Sequence, residues 1–400
     1  MRQLKNFINP KTIAVIGASN HPGKVGNTLM ERLSKFKGEV IPINPKHDTI
    51  SGKKVYPSLR ECPKQIDLVM IAIPSKLVKE VVEDCARKKI KNVIVISAGF
   101  SEVGEKELER DILRIAKENK INLLGPNCFG ITNPYLNLDT TFTNCSTEKG
   151  DTAFISQSGA LWSYISDLPE MQEKGFSSFV SLGNMADLSF SDFIEYFNKD
   201  KKTKRIVLYI ERLKHGKRFI KACKKSKKEI IAIKSGESKE GVEAIISHTA
   251  SLATDFEVYK GAFRQAGVKL FPSISHAFNL NSKFPEFKKS KTAIVTNAGG
   301  PAALITDYLS KQGVKVDKPI DIIGTALPQD YKKTIEGLQG YSYIVVVLTP
   351  QTMSKAEETA KILAESSQKD KIIAFFLGDK SIQKAKKILE KAGIPCYTKI

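Results

Sequence analysis

The sequence predicts an α/β protein of three consecutive units, each a largely parallel sheet covered by helices. Three observations carry this. Short apolar, strand-like runs recur along all 400 residues and are separated by helical patterns. The runs are apolar nearly throughout instead of alternating, as strands buried on both faces are. The length also exceeds one ordinary α/β domain and suits two or three separate cores.

The first unit, 1–135, contains the runs TIAVIG (12–17), EVIPIN (39–44), IDLVMIAI (66–73), NVIVIS (92–97) and NLLGP (122–126). With helices between them they describe a doubly wound, Rossmann-like domain. A polar bridge, 137–151, leads to a second unit, 148–282, with the runs TAFIS, FSSFVSLG, RIVLYIE, EIIAIKSG and VKLF. The lysine-rich KFPEFKKSK (283–291) reads as a linker. Beyond it TAIVTNAGG, VKVD, YIVVVLTP and IIAFFLG form a third α/β unit, 289–400. Ligand sites are expected at the carboxyl ends of these strands.

The formal charge of +20 comes from 63 Lys and Arg against 43 Asp and Glu, and 53 of the 63 cations are lysines. They are spread along surface helices without interleaved aromatics or a nucleic-acid-binding motif. Anionic ligands or an acidic partner are therefore expected, not nucleic acid. The six cysteines, at 62, 85, 128, 145, 223 and 396, show no C-x-x-C pair, so reduced thiols and no metal site are expected. No run of 18 apolar residues and no signal-peptide pattern occurs, which predicts a cytoplasmic protein without a membrane segment.

IAVIGASNHPGKVGNTLMERL is a strand, a glycine turn (Gly17, Gly23, Gly26) and a helix. Such a turn brings backbone N–H groups to an anionic phosphate. An NAD site would place Asp or Glu after the second strand, but VIPINPKHD has Pro45 and Lys46 there. A lysine favours an additional phosphate, as in a 3′-phosphorylated adenosine or in NADP.

Taken in order, GAS…PGKVG, PINPK, IAIP, SAGF, GPNCFGI, SQSGAL, SLGN, YIE and SHTASLA resemble the NDP-forming acyl-CoA synthetases, and within them the α subunits of the ADP-forming members. The resemblance covers nearly the whole chain. It implies an N-terminal Rossmann-like CoA-binding domain followed by two flavodoxin-like α/β domains. It places Ser19, Gly23, Lys24, Lys46, Ile73, Pro74, Ser97 and Gly99 on CoA, with Asn127 and Cys128 beside its thiol end. Cys128 reads equally well as a small buried residue. Together with Asn184, Asn127 and Cys128 are candidates for choosing the acyl group.

His248 lies in EGVEAIISHTASLATDF, read as a mobile loop of small and hydroxyl residues with room for a tetrahedral anion and no metal ligand beside it. An imidazole attacks phosphorus when a second group orients it. In the resembled family this segment carries a phosphohistidine, and the orienting carboxylate matches Glu211 after the run RIVLYI. Otherwise Glu211 is an ordinary strand-end charge. Two strand-to-helix turns resemble the family's paired phosphate-holding helices: Ser156, Gln157, Ser158 and Gly159, and Asn297, Ala298, Gly299 and Gly300, with Pro301 suited to a first helical turn.

The implied reaction interconverts acyl-CoA, ADP and phosphate with a carboxylic acid, CoA and ATP, through an acyl phosphate and a phosphohistidine. No ATP-grasp region is recognised, so ADP/ATP with Mg is expected on a separate β subunit in an α2β2 assembly. Ala250 and Thr254 stand where the family usually has glycine, and the sequence stops at AGIPCYTKI where members commonly add a helix. These departures suit a second reading, a non-catalytic CoA-binding regulatory or scaffold protein. A third, an NADP-dependent oxidoreductase, rests on the glycine turn and Lys46.

Overall fold

Most of the apolar runs become strands in one of three sheets. The computed structural model describes residues 2–143, 145–249, 255–324, 326–351 and 354–400, with the side chains of 247–249 outside that set.

In the first sheet the spatial order is Glu39–Ile43, Thr12–Ile16, Leu68–Ile71, Asn92–Val95 and Asn122–Leu124, all parallel. Counted in chain order this is 2-1-3-4-5. The winding reverses between the first and third strands, and a crevice opens at their carboxyl ends. Gly17 ends the first strand with φ +85°, and a Cβ there would lie 2.4 Å from the Ala72 carbonyl oxygen. A Cβ at Gly26 would lie 1.9 Å from the Gly17 oxygen. Only glycines let the helix Val25–Arg32 start so close to the sheet.

The second sheet runs Lys269–Phe271, Glu229–Lys234, Arg205–Ile210, Lys149–Ser156, Phe176–Ser181, then Ile131–Asn133 and Leu138–Asp139. The first five are parallel and the last two form an antiparallel edge. That edge was read as the end of the first unit and part of a polar bridge. The segments ITN and LD contain no apolar run to mark them as strands. They are held by long-range pairing, including Ser178 Oγ donating to the Thr132 carbonyl at 2.6 Å.

The third sheet runs Lys315–Val316, Lys291–Thr296, Tyr343–Leu348, Ile372–Phe376 and Cys396–Tyr397, with Ile320–Asp321 pairing Lys291–Thr296 farther along. All its pairs are parallel. Cys396–Tyr397 and Ile320–Asp321 escaped the sequence reading for the same reason.

The cores run across unit boundaries, so the sheets do not sit on free hinges. One apolar cluster joins Phe154, Trp162 and Phe179 of the second unit to Ile294, Val345 and Phe375 of the third. Trp162 stacks on Phe179 at 4.2 Å between centroids. The buried Asp167 accepts bonds from Asp379 N at 2.8 Å and from Ser381 N and Oγ at 3.0 and 2.9 Å, tying the same two units. Another cluster joins Val15 and Leu124 of the first sheet to Val180 and Leu208 of the second. Among the described residues no helix is long and apolar enough to cross a membrane.

Candidate functional site

A pocket of about 450 Å³ occupies the crevice of the first sheet. Of the residues expected on CoA, Ser19, Lys24, Lys46, Ile73 and Pro74 line it. Lys24 is the residue before the helix Val25–Arg32, whose first turn has no acidic residue, so the positive end of that helix faces the pocket uncompensated. Asn44 fixes the opposite wall: its Nδ2 donates to the Ala18 carbonyl at 2.8 Å and its Oδ1 accepts from Lys46 N at 2.8 Å.

Gly23, Ser97, Gly99, Asn127 and Cys128 do not line this pocket. Ser97 acts one step away, donating to the Ile73 carbonyl at 2.5 Å and accepting from Ile73 N at 3.2 Å, which shapes the wall. Gly99 N donates to Glu102 Oε1 at 2.6 Å. The Cys128 thiol is buried, donates to the Val95 carbonyl at 3.3 Å, and burial pushes its pKa up to about 12. A thiol held protonated in this way is a packing group and not a nucleophile.

Asn127 and Asn184 do meet, at the seam of the first two units, with Asn127 Nδ2 donating to Asn184 Oδ1 at 3.3 Å. Asn184 Nδ2 in turn reaches Glu102 Oε2 at 2.6 Å and Glu109 Oε2 at 2.8 Å. The pocket also takes His21, Asn44 and His47, which sequence reasoning missed. Their signal was present in GASNHPG and PINPKHD, where one of the five histidines sits in the glycine turn and another follows the second strand.

The two strand-to-helix turns are built alike. Ser156 Oγ donates to the Ser158 carbonyl at 2.6 Å, and Thr296 Oγ1 donates to the Ala298 carbonyl at 2.9 Å. Gln157 Oε1 accepts from Glu211 N and Arg212 N at 2.7 and 2.9 Å; Asn297 Oδ1 accepts from Thr349 N at 3.0 Å. The amide side chains thus pin the neighbouring strand end. The helices Ala160–Asp167 and Gly299–Lys311 follow these turns, with Gly159 and Ala298 at their caps.

Their starts touch. A Cβ on Gly300 would lie 2.4 Å from Ser158 Oγ and 3.3 Å from the Tyr209 hydroxyl. Tyr209 OH donates to the Gly300 carbonyl at 3.1 Å and bonds Ser235 Oγ at 2.9 Å, and burial raises its pKa far above the ordinary value. Glu211, two residues on and buried, follows the strand Arg205–Ile210. In Gly300→Ala the two helix starts have to separate, with an expected loss of about 1–3 kcal/mol in chemical denaturation. Unchanged stability would show that the contact yields freely.

Position 248 falls in the last turn of the helix Lys239–Thr249, where a loop was expected. A tertiary partner explains the helix: it packs along Gly299–Lys311, with Ser238 against Asp307 and Ala244 and Ile245 against Ala303. The two helices are therefore antiparallel, and the same register brings the last turn to the level of Gly299 and Gly300. The His248 side chain, and Ala250 and Thr254, lie outside the described residues.

Lys234, at the end of the strand Glu229–Lys234, lies over the Tyr259 ring at 4.5 Å and feels both Asp307 and Glu211. Burial pushes its ammonium down to about 8. A base with a lowered folded pKa is disfavoured while protonated, so stability should rise as pH climbs from 8 toward the unfolded value. Relative to Lys234→Met, wild type should gain about 2 kcal/mol between pH 8 and 10 in urea denaturation. Parallel pH curves for the two proteins would refute the buried ammonium.

Two family models match the chain, a CoA binding domain over residues 11–134 and a succinyl-CoA ligase like flavodoxin domain over residues 149–283. The α subunit of an ADP-forming acetate–CoA ligase from Pyrococcus furiosus is 38% identical, over 98% of this chain and 94% of its own length. The chain belongs to the NDP-forming acyl-CoA synthetase family. An ADP-forming acetate–CoA ligase from Methanocaldococcus jannaschii is 41% identical over 99% of this chain, which spans only 61% of that longer relative. An acetyl-coenzyme A synthetase from Ca. Korarchaeum cryptofilum, solved with phosphate and ADP, superposes with a TM-score of 0.67 at 32% identity, covering 100% of this chain and 94% of its own. For this acyl-CoA synthetase chain, the crevice of the first sheet and the meeting point of the two helix starts are thus two separate candidate sites, joined by the Asn127–Asn184 seam. The helix Lys239–Thr249 also touches the turn Ser101–Val103 at that seam.

Proposed function

We propose that the chain is the α subunit of an ADP-forming acyl-CoA synthetase, with acetyl-CoA as the representative substrate. CoA lies in the crevice of the first sheet, its phosphates toward Ser19, Lys24 and Lys46 and its thiol end toward Asn127 and Asn184. Phosphate attacks the thioester carbonyl; the C–S bond breaks, leaving an acyl phosphate and CoA. His248 then attacks phosphorus, the carboxylate leaves, and the phosphohistidine passes its phosphoryl group to ADP. Each step reverses. ADP, ATP and Mg are assigned to an ATP-grasp β subunit, in an α2β2 assembly.

The observation that carries this reading is the contact of Ser158 with Gly300, where two helix starts meet below the level reached by the last turn of the His248 helix. Converging N–H groups and dipoles there suit a phosphoryl group in transfer. Glu211 is assigned the orienting role, since it ends the adjacent strand.

The test is chemical. Incubation with acetyl phosphate, or with the partner subunit and ATP, is expected to place an acid-labile, base-stable phosphoryl label on His248, located by mass spectrometry. CoA binding without any such label would instead favour the scaffold protein of the same fold.

A further inference from the structure

Two separate places have to share one intermediate. On the proposed reading the acyl phosphate forms at the thiol end of CoA, by Asn127 and Asn184, and is consumed where the starts of Ala160–Asp167 and Gly299–Lys311 meet. The segment that follows the strand Arg205–Ile210 touches both places.

That segment is pinned residue by residue. Glu211 N and Arg212 N donate to Gln157 Oε1 at 2.7 and 2.9 Å, which ties them to the first strand-to-helix turn. Leu213 N donates to the Tyr259 hydroxyl at 3.2 Å. From this fixed backbone the Arg212 side chain reaches the seam, where Nη2 donates to the Asn184 carbonyl at 3.1 Å. Lys214 Nζ donates to the next carbonyl, that of Met185, at 2.6 Å.

The turn held by these two cations spans the same interval. Leu182 N donates to the Ser156 carbonyl at 2.8 Å, and Asn184 N donates to the Pro126 carbonyl at 2.9 Å. A Cβ on Gly183 would lie 2.3 Å from the Pro126 and Asn127 carbonyl oxygens, so the two loops are in contact. Met185 is buried with φ +52°, a conformation that a residue other than glycine keeps only where its surroundings impose it. The acids that face the guanidinium are Glu211 of its own segment and Glu109 of the first unit. Glu109 also accepts from Ser101 Oγ at 2.6 Å and from Asn184 Nδ2 at 2.8 Å.

We propose that Arg212 binds the phosphate that is transferred, holding inorganic phosphate for attack on the thioester and keeping the acyl phosphate so formed within reach of the two helix starts. This rests on reading the chain as the α subunit of an acyl-CoA synthetase. In that step a phosphate oxygen forms the new C–O bond, the C–S bond breaks with its electron pair going to sulfur, and the proton of hydrogen phosphate ends on the CoA thiol. Reactant and product phosphate are both dianions near neutral pH, so one cation serves both. A guanidinium keeps its charge there and presents a planar fork of N–H donors to two phosphate oxygens.

The complex with the partner subunit tests this, because His248 can be labelled by two routes. Acetyl phosphate has to pass the Arg212 site, whereas ATP delivers its phosphoryl group from the partner. The ratio of the two labelling rates is the readout, since a residue that only supports Glu211 or the His248 helix slows both routes alike. In Arg212→Gln the acetyl phosphate route is expected to fall about tenfold relative to the ATP route, and the KM for inorganic phosphate in acetyl-CoA cleavage to rise about tenfold. Arg212→Lys keeps the charge without the fork; it should shift both quantities the same way by less, and it carries the test should Arg212→Gln fail to assemble. A labelling ratio or a phosphate KM equal to the wild-type value overturns the assignment. So does a loss confined to succinyl-CoA against acetyl-CoA, which would put a distal carboxylate of the acyl group on Arg212 in place of phosphate. Wild-type complex that shows neither label nor phosphate-dependent cleavage of acetyl-CoA overturns the proposed function itself.

Discussion

Assembled with its partner subunit, the His248→Asn chain should turn over at least about 10³-fold more slowly than wild type. CoA affinity should be unchanged and the acid-labile label gone. The two readouts separate because the sites do. The pocket proposed for CoA is lined by the first sheet and its loops, whereas position 248 belongs to a helix packed on the third unit. An Asn keeps a polar side chain on the last helical turn, so the loss reports the missing nucleophile and not an unfolded helix. Exchange of acyl groups between acyl-CoA and phosphate, which in the proposed sequence precedes phosphoryl capture, should survive in the variant. Full turnover by His248→Asn would rule out a covalent step at this residue, and loss of CoA binding would point to a structural role.

The parts of this arrangement that were legible in the sequence are those written in local pattern. Uninterrupted apolar runs such as RIVLYI and YIVVVL gave their strands directly, because a buried parallel strand needs no partner to reveal its composition. The two turns SQSGA and TNAGG were legible as helix starts. What the sequence could not show was that they touch, since Gly300 and Ser158 are far apart in the chain and no spacing encodes their approach. The helix around His248 was missed for a related reason. Its glycine, serine and threonine content disfavours a helix on local propensity, and packing along Gly299–Lys311 outweighs that preference. His21 and His47 were overlooked because each is unremarkable alone; only the fold makes them neighbours.

Asp307→Ala should cost about 3 kcal/mol in denaturant unfolding and slow phosphorylation of an intact His248. The carboxylate stands on the helix Gly299–Lys311 but caps a different one. It accepts from Gly236 N at 2.6 Å, Glu237 N at 2.9 Å, and Ser238 N and Oγ at 2.8 and 2.7 Å, the donors leading into Lys239–Thr249. A Cβ on Gly241 would lie 1.9 Å from Asp307 Oδ1, so a glycine is needed for the carboxylate to come this close. Alanine leaves three backbone donors without their acceptor and removes a negative charge felt by the buried Lys234. Asp307→Asn keeps the shape and one acceptor and should cost about 1 kcal/mol, which separates loss of the cap from loss of volume. Because the cap crosses from the third unit to the second, its loss frees the whole helix and not only its first turn. The label should therefore form more slowly at the far end, where position 248 lies, while CoA affinity is unchanged. Wild-type stability and labelling rate in Asp307→Ala would mean that some other contact anchors the helix, and the antiparallel register with Gly299–Lys311 would then have to stand on the apolar contact of Ala244 and Ile245 with Ala303 and on the Lys311–Glu237 ion pair.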